Sequence, residues 1–270
     1  MSVVVEIMGA NRFYHNQSNN TPLRRSYLST LTMLQLALAV LSICLKHVNS
    51  IALEWVQINV PPSTSSFLAV SYSSTNNVVA TAQSGTGSSI IRSVDNGLSW
   101  TSSTFTDGSF GFIYDLTSKS VSGTTYYLAC DDTGNIYKSV NNGTTWSLSA
   151  VVTSFSGFAI SIGSNGVAYV AGSGYKVFSA SYSTGYATWT SKSVTGITPS
   201  SNWFDVSTYN GVNVIVVAGK GLIYYSSNSG TSWTKSTSGV PASTVIVYCV
   251  DHGSALTAMV RIVKYVSLCV

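Results

Sequence analysis

Short apolar runs alternate with segments rich in Ser, Thr, Asn and Gly along most of the chain after residue 53. One stretch contains the runs GFIYDLT, TYYLAC and GNIYKS, which are rich in β-branched or aromatic residues and bounded by turn-forming residues. Runs of this length and composition predict β-strands, and no helical period accompanies them. They are apolar almost throughout, which is typical of a sheet covered on both faces. The pattern therefore predicts an all-β domain.

An eight-residue segment recurs through this domain at a nearly constant spacing. It reads SVDNGLSW at 93–100, SVNNGTTW at 139–146 and SSNSGTSW at 226–233, with a longer version, SYSTGYATW, at 181–189. The tryptophans that end the four copies are 46, 43 and 44 residues apart. Each copy follows three strand-like runs, so one repeat comprises three strands, a tight turn and a fourth strand that starts at the tryptophan. Four strands in about 40–45 residues predict the blade of a β-propeller.

The recurring segment, called the box below, resembles the Asp-box or bacterial neuraminidase repeat, whose pattern is S/T-x-D-x-G-x-T-W. Asn141 and Asn228 stand where the first copy has Asp95, so we expect these side chains to accept backbone N–H groups within their own turn. The third copy has Ser183 there, and we place its extra residue between Gly185 and Trp189. The residues predicted to build the boxes are Ser93, Asp95, Gly97, Trp100, Ser139, Asn141, Gly143, Trp146, Gly185, Trp189, Ser226, Asn228, Gly230 and Trp233.

The number of blades depends on how the ring closes. EWVQINVPP (54–62) contains a tryptophan in register with the repeat. We therefore expect it to be the fourth strand of a blade whose first three strands come from elsewhere in the chain. TVIVYCV, LTAMVRI and KYVSLCV near the C-terminus would supply those three. This arrangement predicts about five blades, closed by an N-terminal strand, in a domain spanning 53–270. The alternative is that the chain is a truncated part of a larger propeller.

Residues 1–52 differ from the rest and are expected to be a leader containing a signal peptide. Arg24 and Arg25 precede an apolar stretch from about Leu31 to Leu45. That stretch is shorter than the roughly 20 residues needed to cross a bilayer, and it matches the apolar region of a signal peptide. An uncleaved anchor is the alternative, and membrane contact is expected only in that case. The leader predicts export, to the medium or to the cell surface.

Composition excludes one class of partner. The chain has a net charge of +4, but residues 1–52 hold four basic residues against one acidic, which leaves nine basic and eight acidic residues beyond them. Without a basic stripe, nucleic acid is not an expected ligand. No phosphate loop, metal-binding cluster or dinucleotide fingerprint is recognisable, so no cofactor is expected.

Candidate chemistry is limited to a few side chains. Asp115 and Asp205 occupy the same place in two repeats, on the strand that borders the central channel, and some Asp-box glycosidases use two carboxylates. They could also bind a sugar or a cation, or accept backbone amides of the next blade. Trp203, outside the tryptophan register, and Arg92, beside the first box, are the candidate contact residues, although a core position for Trp203 is an open alternative. A sialidase would need three arginines, and only two occur after the leader, so that activity is not expected.

Cysteines and a sequon add two further expectations. Cys130 is predicted to be a buried free thiol. Cys249 and Cys269 are the candidate disulfide pair. Asn142 lies in an Asn-Gly-Thr sequon within the second box and is the candidate glycosylation site if the chain enters the secretory pathway.

The layout is similar to that of the photosystem II stability and assembly factors, which are Asp-box propellers. The resemblance is carried by a tryptophan-containing strand soon after the export signal, by the segment RRSYL, and by YDLT and FDVS in the place of an inner-strand L-D-I pattern. It implies an assembly factor of the thylakoid lumen. The function predicted here is an exported, non-catalytic propeller that binds a protein or a glycan; the lumenal assembly factor and a sialidase-like glycoside hydrolase are the alternatives.

Overall fold

The computed structural model describes residues 66–73, 77–84, 87–107, 110–192, 194, 197, 202–218, 222–237, 246–254 and 257–263. These residues form five successive β-sheets and two short 3-10 turns, at Ser173–Tyr175 and Tyr182–Thr184. Within these ranges no helix has the length and hydrophobicity to span a bilayer. The expected leader and the expected closing strand at 54–62 lie outside the described residues, as does Cys269.

The strands follow one another along the chain. The first sheet contains β1 (Ser66–Tyr72), β2 (Val78–Ser84), β3 (Gly87–Ser93) and β4 (Thr101–Ser102). The second contains β5 (Thr104–Phe105), β6 (Ile113–Val121), β7 (Thr124–Asp131), β8 (Asn135–Ser139) and β9 (Thr145–Val151). The third contains β10 (Gly157–Ile162), β11 (Val167–Gly172), β12 (Val177–Ser181) and β13 (Thr190–Ser191). The fourth contains β14 (Trp203–Thr208), β15 (Val214–Ala218), β16 (Leu222–Ser226) and β17 (Thr234–Lys235), and the fifth contains β18 (Ile246–Ser254) and β19 (Thr257–Val263).

Each repeat folds as three antiparallel strands, a box and a short fourth strand. The first, third and fourth sheets have four strands each, in chain order. The second sheet has a fifth strand that was not predicted, because β5 leaves the first sheet and pairs in parallel with β9, with Phe105 opposite Trp146. This pairing joins the end of one repeat to the outer edge of the next.

The leading strands (β1, β6, β10, β14 and β18) contact one another in that order. Within the described residues no contact of comparable extent joins β18 to β1. The number of blades and the closure of a ring therefore stay predictions.

The core consists of separate apolar layers between neighbouring sheets. In β7, Tyr127 and Ala129 pack with residues of the first sheet, whereas Leu128 and Cys130 pack with residues of the third. A strand covered on both faces needs apolar side chains at every position, which explains the unbroken apolar runs. Cys130 is a free, buried thiol, as predicted, and burial raises its pKa well above its usual value.

Hydrogen bonds within the first box hold its turn. The Ser93 hydroxyl donates to Asp95 Oδ1 at 2.6 Å and accepts the Gly97 N–H at 2.8 Å. Asp95 Oδ1 accepts the Ser99 N–H at 2.9 Å. Hydrogen bonds from the hydroxyls of Ser93 and Ser99 lower the pKa of Asp95 to about 2. The Trp100 indole closes the turn by donating to the Gly97 carbonyl at 2.9 Å.

Asparagine makes the same turn in the second and fourth boxes. The Oδ1 atoms of Asn141 and Asn228 accept N–H groups from Thr145 and Ser232, at 3.0 and 2.9 Å. The side-chain amide nitrogen of each asparagine donates to the hydroxyl of that same residue. An amide thus replaces the carboxylate without losing a bond, so the acidic group is a turn acceptor.

The third box corrects the expected alignment. Gly185 has a φ of +62° and corresponds to Asn96, at +60°, whereas Tyr186, at +61°, takes the place of Gly97, at +90°. The Trp189 indole accordingly donates to the Tyr186 carbonyl at 2.9 Å. The extra residue therefore precedes Gly185, and its placement between Gly185 and Trp189 is wrong.

We expect Ser93→Ala and Asp95→Asn to have very different effects. Removing the Ser93 hydroxyl leaves the buried Gly97 N–H without its acceptor, which costs about 1–3 kcal/mol of unfolding free energy. Asp95→Asn should change stability much less at neutral pH, because Asn141 and Asn228 already make this turn. Urea unfolding of the two variants provides the comparison, and an equal loss in both would contradict this account of the box.

Candidate functional site

The leading strands share a β-bulge near the end at which they begin. The register of β6 on β7 shifts between Ile113 and Asp115, and that of β14 on β15 shifts between Trp203 and Asp205. The other leading strands have register shifts at the corresponding places. A bulge leaves a backbone N–H outside the ladder, so that group needs another acceptor.

Two carboxylates supply acceptors for four of these amides. Asp115 accepts the N–H of Leu116 through Oδ1 and the N–H of Ile160, on β10, through Oδ2, both at 2.8 Å. Asp205 makes the same hydrogen bonds between the fourth and fifth sheets. It accepts the N–H groups of Val206 and of Val250, on β18, both at 2.7 Å. These four donor residues are only 3–5% exposed, so an unsatisfied N–H at any of them would be costly.

One aspartate serves two sheets, which explains why it appears in alternate repeats. The third sheet has Ala159 at the equivalent position and needs no carboxylate there, because Asp115 already accepts the following N–H. In β1 the irregular segment contains Leu68 and Ala69, and the Ala69 N–H donates to the Thr81 hydroxyl at 3.0 Å. Of the interpretations that the sequence left open for Asp115 and Asp205, this geometry matches the one in which they hold amides of the next sheet.

Burial also changes the pKa of the Asp115 carboxyl group. Burial raises the pKa of Asp115 from 3.8 to about 8, and the charge of Asp205 acts in the same direction. The N–H groups of Ile160 and Leu116 oppose this rise without cancelling it.

The other described carboxylates are also engaged by the backbone. The Asp131 side chain is fully buried and accepts N–H groups from three residues, together with the Tyr137 hydroxyl. Asp132 accepts the Phe112 N–H at 2.9 Å, and Asp107 accepts the Leu148 N–H at 2.7 Å. Among the described residues, no three His, Cys, Asp or Glu side chains are grouped so as to hold a metal ion.

Trp203 is not at the surface. Its side chain is fully buried, with ring centroids 5.0 Å from Tyr175 and 5.7 Å from Tyr224. The expectation that Trp203 contacts a ligand is therefore wrong, and the alternative that it belongs to the core is correct. Its place at the start of β14 puts the indole in the layer between the third and fourth sheets.

Arg92 and Asn142 lie at the box ends of the first two sheets. Arg92 is partly buried on β3, and its guanidinium forms no ion pair with another described residue. Asn142 is exposed at a φ of +57°, in the turn of the second box. Ligand binding by Arg92 and glycosylation of Asn142 stay predictions.

Sequence reasoning missed an aromatic residue that recurs at the bulge. Tyr114, Phe158, Phe204 and Tyr248 occupy the bulge position in β6, β10, β14 and β18. The first three side chains are partly exposed. The signal was present in the sequence, as an aromatic residue directly before Asp115, Asp205 and their equivalents. We call Tyr114, Phe158 and Phe204 the aromatic collar.

A second surface feature lies between the third and fourth sheets. It is a cleft of about 340 Å³ whose lining is more apolar than polar and includes several hydroxyl-bearing side chains and one lysine. Its polar lining includes Tyr169, Ser181, Thr184, Thr190, Lys192 and Ser229.

Comparison with known proteins identifies the fold. No protein-family model matches the sequence, and neither does any curated protein. YCF48 from Cyanidioschyzon merolae is a similar solved structure, with a TM-score of 0.57 and 17% identity over 77% of this chain and 70% of that one. The chain has a β-propeller fold.

Two further solved structures agree with this assignment. A structure of YCF48 bound to D1 peptide has a TM-score of 0.56 and 16% identity, over 77% of this chain and 66% of that one. An ancestral GH74 enzyme has a TM-score of 0.52 and 16% identity, over 72% of this chain and 28% of that one. At such identities the similarity extends to the fold alone, and one propeller fold supports both binding proteins and enzymes.

We expect Asp115→Asn and Asp205→Asn each to lower the unfolding free energy by about 1–3 kcal/mol. An asparagine oxygen can accept one N–H, but its amide nitrogen would face the other donor and cannot accept it. Asp132→Asn is the matched control, because Asp132 accepts a backbone N–H through a single oxygen. Urea unfolding in which the Asp115 and Asp132 variants were equally stable would contradict the assigned hydrogen bonds.

The raised pKa of Asp115 predicts a pH dependence of stability. The folded protein keeps this proton up to about pH 8, whereas the unfolded chain loses it near pH 3.8. The contribution of the group is therefore full below pH 3.8 and is lost as the pH rises towards 8. The difference in unfolding free energy between the wild type and Asp115→Asn should fall between pH 4 and pH 8. A difference that grew over this interval would show that the carboxylate is stabilised in its ionised form.

Proposed function

We propose that this chain is an exported, non-catalytic β-propeller that binds a protein ligand at the end of the domain where the leading strands begin. The observation that carries the proposal is the engagement of Asp115 and Asp205. All four of their oxygens accept backbone N–H groups at 2.7–2.8 Å.

A glycoside hydrolase needs one carboxyl group to donate a proton and another to act as a nucleophile or base. Asp115 and Asp205 are the pair that sequence reasoning offered for this task. In the folded chain both groups are fixed as acceptors between strands, so a proton or glycosyl transfer would disturb the hydrogen bonds that hold neighbouring sheets. This supports a binding function over a catalytic one.

The fold offers an analogy for the class of ligand. The YCF48 structure with a bound D1 peptide is an example of this fold in contact with a polypeptide. By analogy, we propose a protein partner here as well. The photosystem II assembly-factor interpretation is a special case of this proposal, in which the chain lies in the thylakoid lumen and its partner belongs to a membrane complex.

A glycan is the second candidate ligand, and the cleft between the third and fourth sheets favours it. Hydroxyl groups of Ser181, Thr184 and Thr190 line this cleft and could exchange hydrogen bonds with sugar hydroxyls. The cleft is separate from the bulges of the leading strands, so the two candidate sites can be tested independently.

Localisation follows from the proposed export. We propose that the chain is secreted or displayed at the cell surface, with the thylakoid lumen as the alternative. Glycosylation at Asn142 would accompany passage through the secretory pathway, and the Cys249–Cys269 disulfide would accompany an oxidising compartment.

Binding and turnover assays on the full chain test the proposed function. A random dodecapeptide display library should yield enriched sequences on the immobilised chain, and a broad panel of oligosaccharides should remain uncleaved. Glycan-array binding with no peptide enrichment would replace the protein ligand with a glycan. Hydrolysis of any panel member would contradict a non-catalytic function if Asp115→Asn and Asp205→Asn abolish it. For this comparison both variants must keep the wild-type near-UV circular dichroism.

A further inference from the structure

The cleft between the third and fourth sheets lies where one side chain is unusually short. The third strand of each of the first four sheets has a residue opposite the one that directly follows the box tryptophan. In sheet order, these residues are Arg92, Lys138, Ser179 and Tyr225. Ser179 is the one short side chain among them, and it lines the cleft.

A lysine crosses the matching space between the second and third sheets. The Lys138 Nζ donates to the carbonyl of Gly185, in the third box, at 2.8 Å. Ser229 is the corresponding residue of the fourth box, with a φ of +58° against +62° for Gly185, and it lines the cleft. Ser179 is too short to reach across as Lys138 does, so the fourth box faces open space.

The Ser179 hydroxyl is a polar group of the cleft without a partner. The residue is only 5% exposed, and its hydroxyl makes no hydrogen bond with another described residue. A buried hydroxyl in this state is costly, and a ligand atom that bonded to it would be stabilised.

Lys192 adds a cation to the same cleft. The other three sheets have a serine at this position, three residues after the box tryptophan, namely Ser103, Ser149 and Ser236. The hydroxyls of Ser103 and Ser149 donate to carbonyls of the next box, at 2.6 and 3.0 Å. The Lys192 ammonium group makes no hydrogen bond or ion pair with another described residue. The third sheet thus departs from the others at two positions, and both line the cleft.

The charge around the cleft has one sign. Residues 157–250 hold four lysines and one acidic residue, Asp205. Asp205 follows Phe204 of the aromatic collar, at the end of the sheets away from the boxes, and its oxygens accept backbone N–H groups. None of the described residues that line the cleft is acidic. An anionic group there would meet Lys192 and Ser179 as donors, with no opposing carboxylate.

The rest of the lining favours a sugar over an acidic side chain. Thr184, Thr188 and Thr190 are exposed around the cleft, and each hydroxyl can both donate and accept. A carboxylate alone uses only donors, whereas the hydroxyls of a sugar use both functions. Val167 and Ala180 contribute apolar surface, which suits the C–H face of a pyranose ring. A volume of about 340 Å³ is within the range of small-ligand sites.

We propose that this cleft binds a hexuronate residue of an acidic glycan, with Lys192 and Ser179 donating to its carboxylate and the threonine hydroxyls bonding to the ring hydroxyls. The inference rests on the proposed function, in which a glycan is the second candidate ligand, and it names the chemical class of that glycan. It does not require the protein ligand.

An NMR titration of the full chain with methyl β-D-glucuronide tests the cleft. The control is methyl β-D-glucoside, which has the same ring and a neutral hydroxymethyl group in place of the carboxylate. The glucuronide should shift the amide resonances of Ser179, Thr190 and Lys192. The glucoside should bind about tenfold more weakly, because the charge-assisted hydrogen bond is lost. Equal binding of the two sugars, or no shift of these amides with either sugar, would overturn the proposal.

Variants locate the carboxylate. Lys192→Ser gives the third sheet the residue that the other three sheets have there, so the fold should be kept. It should weaken glucuronide binding about tenfold and leave glucoside binding unchanged. Lys235→Ser is the matched control, because it removes the same charge from β17, where Lys235 is exposed and outside the cleft. Wild-type affinity for the glucuronide in Lys192→Ser would contradict the assigned site.

The outcomes separate this inference from the proposed function. Neutral oligosaccharides that bind in the cleft as tightly as the glucuronide would keep the glycan ligand and exclude the hexuronate. If no sugar binds, this inference and the glycan ligand fail together, whereas peptides enriched in the display experiment would keep the protein ligand. A capped Gly-Glu-Gly peptide that shifts the same amides and binds more tightly than the glucuronide would overturn the sugar and assign the cleft to an acidic side chain.

Discussion

The arrangement of the sheets depends on where the bulges of the leading strands place their freed N–H groups. These groups are buried between sheets, and the ladder offers them no partner. Asp115 and Asp205 each accept one such proton in their own strand and one in the next leading strand. Each carboxylate therefore links two sheets that are otherwise joined mainly by apolar contacts. A residue pair that resembles a catalytic dyad in the sequence is a structural link in the fold.

Sequence reasoning was reliable where a pattern repeats. The box period and the apolar runs predicted strand order because the same physical requirements, a capped turn and a sheet covered on both faces, recur in every unit. It failed where the outcome depends on contacts distant in sequence. Trp203 lay outside the tryptophan register, and only the packing against Tyr175 and Tyr224 shows why it is buried. The parallel pairing of β5 with β9 has no local signal, since it involves two residues with ordinary composition.

The sequence predicted where the candidate site lies but not what its side chains bind. The inner-strand aspartates directed attention to the correct strands, yet their hydrogen bonds to Ile160 and Val250 span 45 residues and could not be inferred from either local sequence. The aromatic residue beside each of them was visible in the sequence, but a bulge is needed to explain its exposure. In β6 and β14 a partly exposed aromatic ring is thus followed by a carboxylate that accepts an N–H of the next leading strand.

Asp115 and Asp205 act as hydrogen-bond acceptors between sheets. The most direct test is a scalar coupling across the hydrogen bond, measured by NMR between the backbone nitrogen of Ile160 and the carboxyl carbon of Asp115. We expect a measurable coupling there, and another between Val250 and Asp205. If both couplings are absent from a well-resolved spectrum of the folded chain, the carboxylates are not held by the next sheet, and Asp115 and Asp205 become available for chemistry.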